Sequence, residues 1–384
     1  MSRHYLDHAA TTPMVPQAIE AMTRELSRIG NASSLHGSGR AARRVVEESR
    51  EIIAACLGAR PSEVIFTSGG TEADNLALKG AFWSDSSRPG VVTSAIEHSA
   101  VLDVAGWLGQ AGAEVTAVGV DHTGRIDLGT LDAAVSSSTA VVSLMWGNNE
   151  VGTLQPIAEV VEIATRHGSV AHSDAVQAAG HVCVDFAASG LDLLSVSAHK
   201  FGGPCGIGAL LARKDIALTP VLHGGGQERD VRSGTLDVAA VAGFAAAMEV
   251  ATERLVAEQR RIRELRSLLI MELLAAVPDG VLHGPANPAH ALPGIVNLSF
   301  PGCSAEALLL LLDQAGIDCS TGSACSAGVS RPSHVLLAMG STDEEARSSL
   351  RFSIGHTSTA ADIDALAAAL PDAVARARIA GAVA

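Results

Sequence analysis

Leu193-Leu194-Ser195-Val196-Ser197-Ala198-His199-Lys200-Phe201-Gly202-Gly203-Pro204 runs from an apolar strand through a basic pair into a glycine turn. Residues 193–196 are too short for a helix and carry no exposed face, which marks a strand buried on both sides. Similar runs recur outward in both directions, at 64–66, 91–93, 115–118, 140–145, 170–172 and 207–211. Amphipathic segments such as 39–57 and 156–167 lie between them. That alternation predicts an α/β domain with a mostly parallel sheet. From about residue 237 to 277 the pattern changes to one or two long helices. A strand at 295–300, a helix at 305–314 and a strand at 350–354 then predict a smaller α+β domain. The expected division is a large domain over 14–250 and a small one built from 1–13 and 251–384.

The 384 residues include 27 Lys and Arg against 41 Asp and Glu, a formal net charge of −14. An acidic chain without a basic stripe excludes a general nucleic-acid or membrane-surface binder. Hydrophobic residues at 47 % and charged residues at 18 % exclude wholesale disorder. No apolar run is long enough to span a bilayer. The opening residues carry Arg3, His4, Asp7 and His8 ahead of any apolar stretch, which predicts no secretory leader and a cytoplasmic protein. The six cysteines form no CxxC pair, so neither a disulfide framework nor a zinc finger is expected, and no metal site is predicted.

The chemistry is expected just beyond the strands, where open α/β sheets bind ligands. Thr67-Ser68-Gly69-Gly70-Thr71-Glu72 leads from a strand into a helix. Its glycines and free N–H groups suit an anion, although a turn capped by Thr71 is an equally ordinary reading. It is neither a GxxxxGK[ST] loop nor a GxGxxG turn. Asp174 follows the strand at 170–172, where an acid is often only a helix cap, and Lys200 taken alone also reads as a solvated lysine. Together, an anion-binding turn, an acid and a lysine at strand ends are the parts of a pyridoxal-phosphate site. The turn takes the phosphate, the acid faces the pyridine nitrogen and the lysine carries the aldehyde. Asn149 can reach the ring oxygen, and His98 can lie over the ring and move protons. In the smaller unit, Cys325 sits among Gly, Ser and Ala, the setting of a pliable loop and a reactive thiolate. Arg351, inside an apolar strand, needs an anion: a substrate carboxylate or a structural ion pair.

An ordered set of motifs runs nearly end to end. It begins with Tyr5-Leu6-Asp7-His8-Ala9-Ala10-Thr11-Thr12-Pro13, Gly30-Asn31-Ala32-Ser33, Gly70-Thr71-Glu72, Glu97-His98 and Asn148-Asn149-Glu150. It continues with Ser197-Ala198-His199-Lys200, Gly224-Gly225-Gly226-Gln227-Glu228, Arg232-Ser233-Gly234-Thr235, Gly322-Ser323-Ala324-Cys325 and Arg351-Phe352-Ser353-Ile354-Gly355. In these the chain resembles the pyridoxal-phosphate-dependent cysteine desulfurases of the NifS/IscS type, within the class-V aminotransferase superfamily.

The resemblance implies the transferase fold of type I and a homodimer that converts L-cysteine to L-alanine. Lys200 would form the Schiff base, Asp174 would pair with the pyridine nitrogen and His98 would stack on the ring. Gln177 and Asn149 would contact the ring-hydroxyl region. Gly70, Thr71, Ser197 and His199 would hold the phosphate, with Thr235 arriving from the other subunit. Asn31 and Arg351 would bind the substrate carboxylate. Cys325 would take the sulfur as a persulfide and pass it to an iron–sulfur scaffold protein or a tRNA-thiolating enzyme. Transient contact of Cys325 with an iron–sulfur cluster is the one metal contact implied. The alternatives are a selenocysteine lyase or another class-V pyridoxal-phosphate enzyme. Cys205 places a second thiol near Lys200 in sequence.

Overall fold

The computed structural model describes residues 3–322 and 331–381. Among the described residues, twelve strands form three sheets: β1 (His4–Tyr5), β2 (Val64–Thr67), β3 (Gly90–Ser94), β4 (Glu114–Val118), β5 (Thr139–Ser143), β6 (Val170–Asp174), β7 (Leu193–Ser197), β8 (Gly208–Ala212), β9 (Val281–His283), β10 (Ile295–Ser299), β11 (Ile317–Asp318) and β12 (Ser349–Ser353).

The large sheet has the order β2-β8-β7-β6-β5-β3-β4. Its strands are parallel except β8, which runs antiparallel to both of its neighbours. Two reversals leave β2 parallel to β7, so the carboxyl ends of β2, β3, β5, β6 and β7 share one edge. β3 continues outward to β4, whereas β5 returns to the other side of β3. That reversal of winding is a topological switch point, and it opens a crevice between the loops after β3 and β5. Strands β2, β3, β5, β7 and β8 are buried throughout. Helices cover both faces, which is why these strands read as unbroken apolar segments. The main core on one face includes Phe66, Phe201 and Phe244. A second core on the other face packs the Gly70–Ser84 and Ser99–Gln110 helices against the sheet.

The small unit is built on the antiparallel order β12-β10-β9, with the parallel pair β1-β11 beside it. Its own core gathers Leu6, Leu298, Phe300, Leu308, Phe352 and Leu366. The helical stretch after residue 237 is a single helix, Val238–Ala276. Ala240 to Val250 belong to the core of the large sheet, while Ile262, Leu269 and Leu273 belong to that of the small one. One continuous helix thus fixes the two units to each other. The N-terminal segment does the same: β1 pairs in the small unit, and Ala9 packs in the large core.

Candidate active site

A cavity of about 400 Å³ lies at the carboxyl edge of the large sheet, over the switch point. Gly70, Thr71, His98, Asn149, Asp174, Gln177, Ser197, His199, Lys200 and Arg351 all line it. Ten side chains or turns singled out from sequence therefore converge. Asn31 and Thr235 do not reach this lining within one chain. Asn31 is exposed, its Oδ1 accepting from the Ser33 amide at 2.9 Å, and Thr235 is also exposed. Cys325 lies outside the described residues. The chain leading to it contributes Ser320 and Gly322 to the lining.

Each wall follows from local sequence. The Gly70–Ser84 helix begins at Gly69, whose φ of 149° is open to glycine and strained for other residues. Among the described residues no side chain caps this helix, so Thr71 is not its cap and the first-turn N–H groups stay free for an anion. At Gly70 a Cβ would come within 2.6 Å of Val176 Cγ2, so only glycine brings the backbone this close to the turn after β6. Asp174 ends β6 and is buried; its Oδ1 accepts from the Val176 amide at 2.8 Å. The capping role open to it is real but occupies one oxygen. Burial holds this carboxyl above the usual carboxylate range.

Lys200 closes a 3₁₀ turn, Ala198–Lys200, directly after β7. Its Nζ donates to the carbonyl oxygens of Ala9 at 2.7 Å and Ala10 at 3.0 Å. Burial, helped by the Arg351 charge, lowers the amine to about 8. Gln177 Nε2 donates to the same Ala9 oxygen at 2.7 Å. His181 bonds the Lys200 main-chain oxygen from behind at 2.8 Å. Burial lowers His199 to about 4, leaving it a neutral hydrogen-bonding group near pH 7. His98 caps the Ser99–Gln110 helix by accepting the Ala100 amide on Nδ1 at 3.1 Å, which puts the proton of its neutral ring on Nε2.

Arg351 resolves the alternative left open by its sequence. Its Nη2 donates to Asp7 Oδ1 at 2.8 Å and its Nη1 to the Asn149 carbonyl at 2.9 Å, while Nε is buried without a partner among the described residues. A structural ion pair and a place in the cavity wall therefore coexist. Cys205 is exposed and outside the lining. Sequence reading missed Asp74, Met145, Val176 and the Ala9 and Ala10 backbone, all in the lining. Asp74 had a usable signal: three and four residues after Thr71 and Gly70 on one helix places it on their face.

Residues 4–366 match the family model described as aminotransferase class-V, and the chain belongs to that family. Within it, the chain is 54% identical over 381 residues to an IscS-like cysteine desulfurase of Mycobacterium tuberculosis (strain ATCC 25618 / H37Rv), covering 97% of each. Among solved structures it is similar to a NifS-like protein, with a TM-score of 0.91 and 35% identity over 97% of this chain and 100% of that one. It is also similar to SspA in complex with cysteine, with a TM-score of 0.80 and 33% identity over 92% of this chain and 99% of that one. The family implies pyridoxal phosphate, and the cavity fits such a group. A depressed amine, a buried carboxylate and an uncapped helix start bordered by a turn only glycine can make face a common space.

Proposed function

We propose that this chain is a pyridoxal-phosphate-dependent cysteine desulfurase. It converts L-cysteine to L-alanine and leaves the sulfur as a persulfide on Cys325. The observation that carries the reading is the convergence of Lys200, Asp174, His98 and the Gly70 turn on one cavity, joined at its mouth by the chain that leads to Cys325.

In this reading Lys200 is the point of covalent attachment, and its lowered pKa supplies free amine near neutral pH. Asp174 faces the ring nitrogen and His98 covers the ring. Gly70, Thr71, Ser197 and His199 hold the phosphate, together with Thr235 of the partner subunit in a homodimer. The exposure of Thr235, away from its own chain's cavity, fits service to a second copy. Asn149 and Gln177 border the ring hydroxyl; Arg351 and Asn31 take the substrate carboxylate. Bound there, the cofactor supplies an electron sink for charge released at the substrate's α-carbon.

The chain's own groups do the rest. Lys200 Nζ, freed when the substrate amine takes its place, removes the Cα proton and returns it to Cα at the end. The Cys325 thiolate attacks the substrate sulfur, the Cβ–S bond breaks, and its electron pair ends with a proton on Cβ. Lys200 and the His98 Nε2–H are the proton carriers within the cavity. The persulfide then goes to a protein acceptor, an iron–sulfur scaffold or a tRNA-thiolating enzyme, in the cytoplasm, where thiols stay reduced. The large domain is assigned to 14–250 and the small one to 1–13 with 251–384.

The test is alanine and sulfide production from L-cysteine with a thiol reductant, comparing wild type and Cys325→Ala while recording the visible spectrum. Equal alanine and sulfide from the wild type, with neither from a variant that still carries the cofactor band, is the expected result. A yellow wild type that makes no alanine overturns the assigned reaction.

A further inference from the structure

Asp74 has no part in the roles above, yet it is 1 % exposed and lines the same cavity as Asp174. It stands on the Gly70–Ser84 helix one turn below the glycine turn, so the element that presents free N–H groups also presents this carboxyl. Among the described residues its Oδ1 has no hydrogen-bond partner. His172 Nε2 is 3.6 Å from that oxygen, too far to donate, and is already engaged with Ser195 Oγ at 3.0 Å. The other nitrogen of His172 meets Ser143 Oγ at 2.8 Å. His172 and Asp174 lie two apart on β6 and share a face of the sheet.

A buried carboxylate needs a cation or several donors. The described residues offer Asp74 no cation and one donor, the Ser195 hydroxyl. Burial keeps His172 neutral, lowering it to about 3. The charged and titratable groups around the cluster are Asp174, Glu97, His98, His172, Lys200 and Arg351. Of these, Asp174 and Glu97 raise the proton affinity of Asp74, as burial does first. Lys200 and His98 act on Asp174 instead. Two carboxyls buried in the wall of one cavity, each disfavouring the other's charge, do not both ionise.

We propose that Asp74 is held as the neutral acid, which leaves the single negative charge of the two carboxyls on Asp174, the group that would face the cofactor's ring nitrogen. The inference rests on the pyridoxal-phosphate reading of the cavity. Its distinguishing feature is that amide replaces acid without loss, because Asp74→Asn keeps the size, a donor and the neutral charge. Removing the polar group altogether leaves the Ser195 hydroxyl with one partner fewer.

The experiment uses the holoenzyme of wild type, Asp74→Asn and Asp74→Leu. It measures the cofactor's dissociation constant and the pH midpoint of its visible band. Asp74→Asn is expected to titrate within about 0.3 pH unit of wild type. Asp74→Leu is expected to bind the cofactor about tenfold more weakly, the size of one buried hydrogen bond. If Asp74 is an anion, Asp74→Asn deletes a charge beside the ring and the midpoint falls by about one pH unit or more, which overturns the inference. An Asp74→Leu variant that binds as tightly as wild type also overturns it. A wild type that takes up no pyridoxal phosphate overturns the reading of the cavity itself, and is told apart by failing before any variant is compared.

Discussion

Lys200 Nζ and the carbonyl oxygen of Ala9 meet at 2.7 Å across 191 positions of sequence. Through this bond the lysine at the end of β7 is tied to the segment that leaves the small unit and crosses the cavity. Gln177 donates to the same oxygen, so one backbone carbonyl sets both side chains at once. The bond satisfies the amine without an anion, and burial then favours its neutral form.

That neutral form is what attacks an aldehyde. With the Lys200 amine lowered to about 8, capture of added pyridoxal phosphate by the cofactor-free protein is expected to accelerate about tenfold per pH unit up to pH 8 and to level off above it. Stopped-flow absorbance from pH 6 to 10 gives the profile. A rate still climbing at pH 10 would show an ordinary, solvated lysine. Lys200→Ala should show no protein-imine band at any pH.

Gly70 faces Val176 so closely that a methyl group has no room, with a Cβ–Cγ2 separation of 2.6 Å. Gly70→Ala is therefore expected to push the turn away from the cavity, costing about 1–3 kcal/mol of stability and weakening cofactor retention by tenfold or more. Adding Val176→Ala should restore much of both, since it removes the atom that clashes. A double variant no better than Gly70→Ala would assign the glycine's role to backbone freedom instead.

The parallel strands were legible because strands buried on both faces are short unbroken runs of Val, Ile and Leu, as in β5 and β7. The candidate site was legible wherever the residues lining its cavity sit at the carboxyl ends of those runs: Gly70 after β2, Asp174 at the end of β6, Lys200 after β7. Pairings between distant segments were not. Nothing local to Arg351 points to Asp7, 344 residues away, because an ion pair needs only proximity in space. The reversal of β8 and the two-residue pair β1-β11 were equally hidden, since direction and very short strands leave no periodicity to read. Asn31 and Thr235 were reached only through family resemblance, and one chain does not bring them to the cavity.

His172 gives the protein an acid-sensitive core. Burial lowers its pKa from 6.5 to about 3, so between those values the unfolded chain binds a proton that the native one does not. Stability accordingly falls as pH drops below about 6.5, at up to about 1.4 kcal/mol per pH unit. Urea unfolding at pH 7 and pH 5 should show the wild type losing about 2 kcal/mol more than His172→Gln over that interval. Equal losses would place the acid sensitivity on other groups.

Arg50 and Glu228 form the deepest ion pair described in the large unit. Both are nearly inaccessible, and the guanidinium Nη1 and Nη2 each lie 2.8 Å from a carboxylate oxygen. Glu228 Oε2 also accepts from the Phe66 amide at 2.8 Å, so the pair docks the segment holding Gln227, Arg232 and Thr235 against β2. The two residues that follow, Arg229 and Asp230, have positive φ, a conformation tolerated only where the surroundings impose it. Glu228→Gln keeps the shape and removes the charge, leaving a buried guanidinium with only the half-exposed Glu47 as counter-ion among the described residues. The expected cost is about 3 kcal/mol in urea unfolding, at the lower end for a broken buried pair because Glu47 remains. Salt should barely change it, since a pair shielded from solvent is little screened. A cost below about 1 kcal/mol that vanishes in about 0.5 M salt would mark the pair as a surface contact and release the Thr235 segment from this anchor.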